Sequence, residues 1–334
     1  MSIDITTIDD EEEWNRYVER SNETTPLHRY GALDVQADYA DATLYRFAGF
    51  KGQEAVGIFP VFEIRKGPVS TAFSPPPDIR IPYLGPAVLN VDKLKRRKRD
   101  RRVKRFVEGC LDRIEGEIGP KYTHFRTDSR FEDVRPFGWN DHDVTPEYTY
   151  LVDLTADEET VKGRFSSDAR SNIRDGEDAA FAIEEGGERA IKRIVEQVRN
   201  RYEAQAVSFH LPTAFVVDLF ERLPSGSVRP YALRVDGEFV GGILVIDDGD
   251  RVYRWQGGVR PDAETEVAPN DLLDWRVMRD AMARGRSAYD LVGADSPRIN
   301  RYKAKFGPGL ETYYSVEQGT PVMNTMAHLY RKFR

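Results

Sequence analysis

Between Arg298 and Lys305 the chain places Arg298, Asn300, Arg301, Lys303 and Lys305 within eight residues, with Phe306 and Gly307 directly after. Cations and an amide this close together suit an anionic substrate, or the oxyanion that develops when a carbonyl is attacked. Such groups help only if rigid elements aim them, and the preceding stretch supplies these. Arg251–Gly257 (RVYRWQG) alternates and is rich in aromatics, as a half-buried strand should be. Asn270 then reads as a helix N-cap, with Asp271 in the first turn, where negative charge suits the helix dipole. Leu272, Leu273, Trp275, Val277, Met278, Ala281 and Met282 recur at helical spacing up to Gly285, a natural stop. Residues 287–293 (SAYDLVG) are short, apolar and closed by glycine, which predicts a buried strand. Asp290 lies in that strand and, if ionised, needs a partner such as Lys303 or Arg298. Arg298 and Asn300 are candidates for substrate binding. Trp255 and Gln256, at a strand end, are candidates to line a cleft, although Trp255 suits a core equally well.

Other chemistries find no residues to carry them. There is no Gly-x-Ser-x-Gly elbow and no phosphate loop ending in Lys-Ser/Thr. His28, His124, His142, His210 and His328 are scattered without metal-ligand spacing, so no metal is expected. Cys110 is the single cysteine, which excludes an internal disulfide, and it sits in a helical pattern as a buried thiol. No apolar run approaches the roughly 18 residues needed to span a bilayer, and the acidic N-terminus lacks the features of a signal peptide. A cytoplasmic location follows as the default. At 334 residues the chain exceeds what one core usually supports, so two domains are expected.

Charge is unevenly spread. The net value is -7, yet residues 93–105 (KLKRRKRDRRVKR) hold ten cations and one acid. The remainder has 39 basic and 55 acidic residues, or -16. Three readings of the block stand: a solvated helix start, a patch for RNA backbone including tRNA, or an attraction to anionic lipid. The block lacks interleaved aromatics, which argues against sequence-specific RNA recognition.

Taken in order, residues 10–20 predict a short amphipathic helix, and 43–48 with 54–64 a strand pair. The run 74–78 (SPPPD) cannot be regular structure, because proline fixes φ and lacks the backbone donor. A helix over 91–119 and a strand over 121–126 follow. The irregular, aromatic stretch 131–148 joins the domains, and a new strand starts at 149. One helix is expected over 158–174, where Arg170 and Arg174 share a face able to bind an anion. Further expectations are a strand at 181–185 and helices at 188–204 and 213–223. A hairpin through Asp236-Gly237 is the strongest local turn signal in the chain. An edge strand at 310–317 and a terminal helix with a basic tip close the chain.

Three features in this order resemble the FemAB-like branch of the GNAT acyltransferase superfamily, also labelled BioF2-like. They are Pro269-Asn270-Asp271-Leu272-Leu273 after Trp255-Gln256-Gly257, then Tyr289-Asp290-Leu291-Val292-Gly293, then the aromatic-Lys-x-x-Phe-Gly run Tyr302-Lys303-Ala304-Lys305-Phe306-Gly307. Arg170-Ser171-Asn172-Ile173-Arg174 is similar to the family's Arg/Lys-x-Asn-Ile-Arg helix, though Asp175-Gly176-Glu177 follows where a basic residue is usual. The resemblance covers most of the chain. It implies an α/β fold of two GNAT-like (acyl-CoA N-acyltransferase-type) domains, 1–148 degenerate and 149–334 catalytic, each a mixed sheet with helices on both faces.

The resemblance further implies an N-acyl or aminoacyl transferase acting on an amine of a cell-envelope precursor or a small polar metabolite, in a cleft between the domains. Lys303 takes the place of the family's characteristic lysine and becomes the oxyanion candidate, while Lys305 reads as a surface charge. Asn270, at the helix start, joins the substrate-binding candidates. Residues 75–86 are a stiff connector or, as in FemAB-like proteins, a cleft wall that includes Tyr83. The donor is acyl-CoA (acetyl-CoA) or aminoacyl-tRNA, the latter being the donor of peptidoglycan-bridge members. The loop 259–269 is acidic (Asp262, Glu264, Glu266) and lacks the Gly-rich run that ordinary GNAT enzymes use for the CoA pyrophosphate. A non-catalytic protein of this fold, holding RNA or an anionic membrane surface through 93–105, is the alternative.

Overall fold

The computed structural model describes residues 3–177, 181–205, 207–259, 268–294 and 296–332. The acidic loop residues Asp262, Glu264 and Glu266 lie outside them, as does the side chain of Arg298. The chain divides into two compact units, Met1–Glu147 with Thr312–Arg334, and Tyr148–Glu311.

In the first unit the strands are β1 (Asp4–Thr7), β2 (Thr43–Lys51), β3 (Glu54–Lys66), β4 (Val69–Ser74), β5 (Ala87–Val88) and β6 (Tyr122–Arg126). The helices are α1 (Glu11–Glu19), α2 (Tyr30–Ala40), α3 (Arg96–Glu117) and α4 (Arg135–Gly138). The sheet runs β1-β2-β3-β4-β6, antiparallel except for the parallel pair β4 and β6. Phe106 explains how α3 closes onto it. A Cβ at Gly49 or Gly57 would stand 2.6 Å from the Phe106 ring, so two bare strand positions form its socket. Val103, Val107, Cys110 and Ile114 extend the same buried face. Burying one such ring contributes about 1.5–3 kcal/mol.

The second unit begins within β7 (Asp143–Asp153), which starts six residues before the expected 149. It continues with α5 (Glu158–Gly163), α6 (Ser167–Glu177), β8 (Phe181–Glu185), α7 (Glu188–Glu203) and α8 (Thr213–Arg222). Then come β9 (Val228–Val235), β10 (Glu238–Asp247), β11 (Arg251–Gly257), α9 (Pro269–Ala283), β12 (Ala288–Asp290) and α10 (Pro297–Lys303). Its sheet order is β7-β12-β11-β10-β9-β8, with β11 and β12 parallel and the rest antiparallel. Asp236 and Gly237 both have positive φ, the conformation a two-residue hairpin with the right twist requires. Helices cover both faces. Ile243 and Val245 of β10 share a core with α6 and α9, whereas a Cβ on Gly242, which points to the opposite face, would meet Ile194 of α7.

The helix expected over 158–174 is two helices. Phe165 turns inward between them to pack edge-on against Trp275 and Phe306, and the Ser166 amide is diverted to the Lys305 carbonyl at 2.7 Å. After α10 come β13 (Gly309–Gly319) and α11 (Pro321–Lys332). Residues Ser315–Gly319 of β13 pair antiparallel with β6 in the first unit. No helix among the described residues is long and apolar enough to cross a membrane.

Candidate active site

The site is built around the end of β12. All three of its residues are buried, and just beyond them the backbone enters the left-handed region at Val292 (φ 52°) and Gly293 (φ 84°). A β-branched residue there stores about 1–3 kcal/mol of strain and must be held in place. Asp290 and Thr149 hold it. The Asp290 carboxylate, 1% exposed, accepts from the Val292 amide at 2.7 Å and the Thr149 hydroxyl at 2.5 Å. Thr149 Oγ1 in turn accepts from the Gly293 amide at 3.0 Å. The turn thereby presents two carbonyls to one ammonium: Lys303 Nζ donates to Val292 O at 2.7 Å and Gly293 O at 2.6 Å. Lys303 is buried. Asn300, one helical turn earlier, donates through Nδ2 to Ala294 O. Its Oδ1 is buried without a hydrogen-bond partner among the described residues. Asp290, Asn300 and Lys303 therefore meet at residues 290–294.

Tyr302, Phe306 and Gly307 of the 302–307 run each have a physical task in holding the segment that carries Lys303. The Tyr302 hydroxyl donates to Asp274 Oδ2, and Phe306 is fully buried against Phe165 and Tyr302. Gly307 adopts φ 60°, and a Cβ there would lie 2.5 Å from the Arg164 carbonyl, so only glycine fits. Asp274 is the hub. It has no exposed surface and also accepts from Arg254 Nε at 2.8 Å and the Tyr289 hydroxyl at 2.6 Å. Burial, followed by the Asp274 charge, pushes the hydroxyls of Tyr289 and Tyr302 well up, so both remain donors. For Arg254, burial works against the charge but the facing carboxylate outweighs it, and its pKa is raised. The sequence reading passed over Asp274 and Arg254. A signal was present: Asp271 and Asp274 share a helix face with Met278 and Ala281, where lone carboxylates need buried partners.

The remaining candidates are placed elsewhere. Asn270 is not the N-cap of α9, since that position is Ala268. Its amide instead clasps Val259, accepting from its N–H at 2.8 Å and donating to its carbonyl at 3.0 Å, which ties the end of β11 to α9. Lys305 is not a free surface charge. It binds the buried Asp271 at 2.9 Å, which also accepts from Asn172 Nδ2 at 2.6 Å. Arg170 and Arg174 are exposed on α6. Arg170 donates to the carbonyls of Gly163 and Phe165, and Arg174 donates to Ser171 and lies 3.5 Å from Asp175. In the Arg170–Arg174 pattern it is Asn172 and the buried Ile173 that join α6 to the core. Trp255 is a core residue edge-on to Phe215, and Gln256 is half-buried opposite Leu244. Tyr83 belongs to the first unit, buried against Tyr313.

Chemically, the arrangement gives a desolvated ammonium fixed at a strand end by a strained turn, with a buried carboxylate one residue away from that turn. Such a charge stabilises a developing oxyanion without reorganising. Among the described residues no cluster of His, Cys, Asp or Glu is suited to a metal ion.

Residues 163–304 match the family model described as an acetyltransferase (GNAT) domain. No curated protein matches the chain. Among solved structures it is similar to FemX, with TM-score 0.73, 11% identity, and 93% of this chain and 96% of that one covered. It is also similar to the C-terminal domain of a putative lysylphosphatidylglycerol synthetase from Agrobacterium fabrum, with TM-score 0.54, 16% identity, and coverage of 92% and 93%. A tandem GNAT protein from the clavulanic acid biosynthesis pathway matches with TM-score 0.50, 11% identity, and coverage of 95% and 98%. At these identities the likeness is one of fold.

Proposed function

We propose that the protein is a GNAT-type acyltransferase that acylates or aminoacylates an amine of a cell-envelope precursor or a small polar metabolite, a reading supported by the match of residues 163–304 to the acetyltransferase (GNAT) domain model and by the likeness of fold to FemX. The donor is an acyl-CoA such as acetyl-CoA, or an aminoacyl-tRNA. The amine nitrogen attacks the donor carbonyl, the carbonyl oxygen becomes an oxyanion, and collapse expels the CoA thiol or the tRNA ribose hydroxyl as the amine gives up its proton. Little covalent help is needed, so alignment and charge stabilisation carry the catalysis. Lys303 is the residue assigned to the oxyanion.

The observation that carries this reading is the hold on Lys303: two carbonyls of the 292–293 turn fix its ammonium at 2.6–2.7 Å. Asn300 and the Asp290–Thr149 pair shape the same end of β12, and the substrate-binding role falls first to Asn300 and Asp290. Incubating the protein with labelled acetyl-CoA or charged tRNA and a panel of polar amines tests it. The wild type transfers label, and Lys303→Ala lowers kcat by about 10²–10³, the cost of one oxyanion donor. Transfer at near wild-type rate by the variant sinks the assignment.

A further inference from the structure

The first unit carries an exposed apolar and cationic surface that acyl transfer does not use. On α11, Val322, Met326 and Leu329 are 69%, 58% and 46% exposed. Their spacing places them along one helix face, and the sequence continues with Arg331 and Lys332. Trp139, directly after α4, is 55% exposed. Lys104 and Arg135 stand 5.6 and 5.5 Å from its ring centroid. The neighbouring Asn140 carbonyl accepts from Gln318 at 3.4 Å, three residues before α11 begins. Lys93 and Lys95, just before α3, and Arg97, Lys98 and Arg101 on it are exposed and have no acidic partner among the described residues. Arg97 and Arg101 share the helix face of Lys104 and so lead toward Trp139. Cationic helix, exposed indole and apolar stripe thus follow one another through contacts within a single unit.

We propose that this surface docks the protein on an anionic lipid bilayer, with the α11 stripe and Trp139 seated at the headgroup boundary and the α3 cations over the lipid phosphates. A helix with aliphatic residues exposed along one face lies in the plane of such an interface, and an indole is the side chain suited to that depth. Charge complementarity selects this occupant. The rest of the chain sums to -16, so an anionic surface attracts this pole and repels the others. RNA would leave the aliphatic stripe uncovered. A two-fold copy would bring this same cationic patch against itself.

Co-sedimentation of the full chain with vesicles of phosphatidylcholine, alone or with phosphatidylglycerol, tests the proposal. The wild type pellets with the phosphatidylglycerol vesicles only, and added salt weakens the binding. Replacing Arg97, Lys98 and Arg101 with Gln lowers the partition coefficient roughly a hundredfold, about fivefold per cation. The triple change Val322→Ser, Met326→Ser and Leu329→Ser abolishes pelleting while the melting curve stays at the wild-type value. Equal binding to neutral vesicles, no vesicle binding, or vesicle binding unchanged by the stripe variant overturns it. So does a stripe-dependent dimer or binding to an RNA oligonucleotide that occurs without vesicle binding. Transfer between a soluble donor and amine is measured without vesicles, so a failure here leaves the acyl-transfer reading standing.

Discussion

Lys303→Met isolates the ammonium, because methionine keeps an unbranched stem and removes the charge. The lysine donates two charge-assisted hydrogen bonds, to Val292 O and Gly293 O, each worth about 1.5–3 kcal/mol. Water reaches the site poorly, since Lys303 is 8% exposed, so the abandoned carbonyls are not fully repaired. Strain at Val292 also loses its counterweight. The expected loss is about 3–6 kcal/mol, the sum of the two bonds, and a domain of this size should melt roughly 6–24 °C lower. Calorimetry with far-UV dichroism reads the stability, and kcat for amine acylation reads the chemistry below the new transition. A variant that melts within about a degree of wild type refutes the clamp derived from the turn. A lowered transition with unchanged kcat instead leaves a clamp and removes the oxyanion role.

Asp274→Ala strands the Arg254 guanidinium, whose side chain is only 15% exposed, and should cost about 3–5 kcal/mol in urea unfolding; a loss below about 1 kcal/mol contradicts the hub. Gly257→Ala forces a Cβ at φ 115° to within 2.3 Å of the Gly242 carbonyl, and a wild-type melting temperature for this variant would show that the β10–β11 packing yields. Glu23 is buried, and this burial, opposed by the Val88 amide, raises its carboxyl to about 8. A raised folded value means that its contribution is fully present below the unfolded value near 4.5 and is lost as pH rises through 8. Glu23→Gln should therefore gain on wild type by about 1.4 kcal/mol per pH unit across that window. Identical slopes of stability against pH in the two proteins would contradict it. His28, lowered to about 4 by burial, acts oppositely and loses stability only as pH falls below its ordinary range, so it is constant above pH 7.

The chain's own pattern determined a good deal. Asp236-Gly237 fixed a hairpin because only those two backbone conformations fit its twist, and the 3.6-residue spacing of apolar side chains marked α3, α7 and α9 as core helices. The order Tyr302, Lys303, Phe306, Gly307 marked a stretch of chain that packing and hydrogen bonds hold in place. What the pattern did not contain was which charges would meet. Lys305 lies 34 residues from Asp271, and Asn172 lies 99 from it. A single buried carboxylate claims both, so a cation that looks like a surface charge becomes a core partner. Asp274 likewise collects Arg254, Tyr289 and Tyr302 from three elements. Arg170 and Arg174 share a face as their spacing requires, yet neighbouring carbonyls and Ser171 occupy their donors. Spacing reports which side chains share one element's face. Which faces are pressed together, and how little water remains between them, is decided by packing across the sheet, and there a charge either finds its partner or is not tolerated.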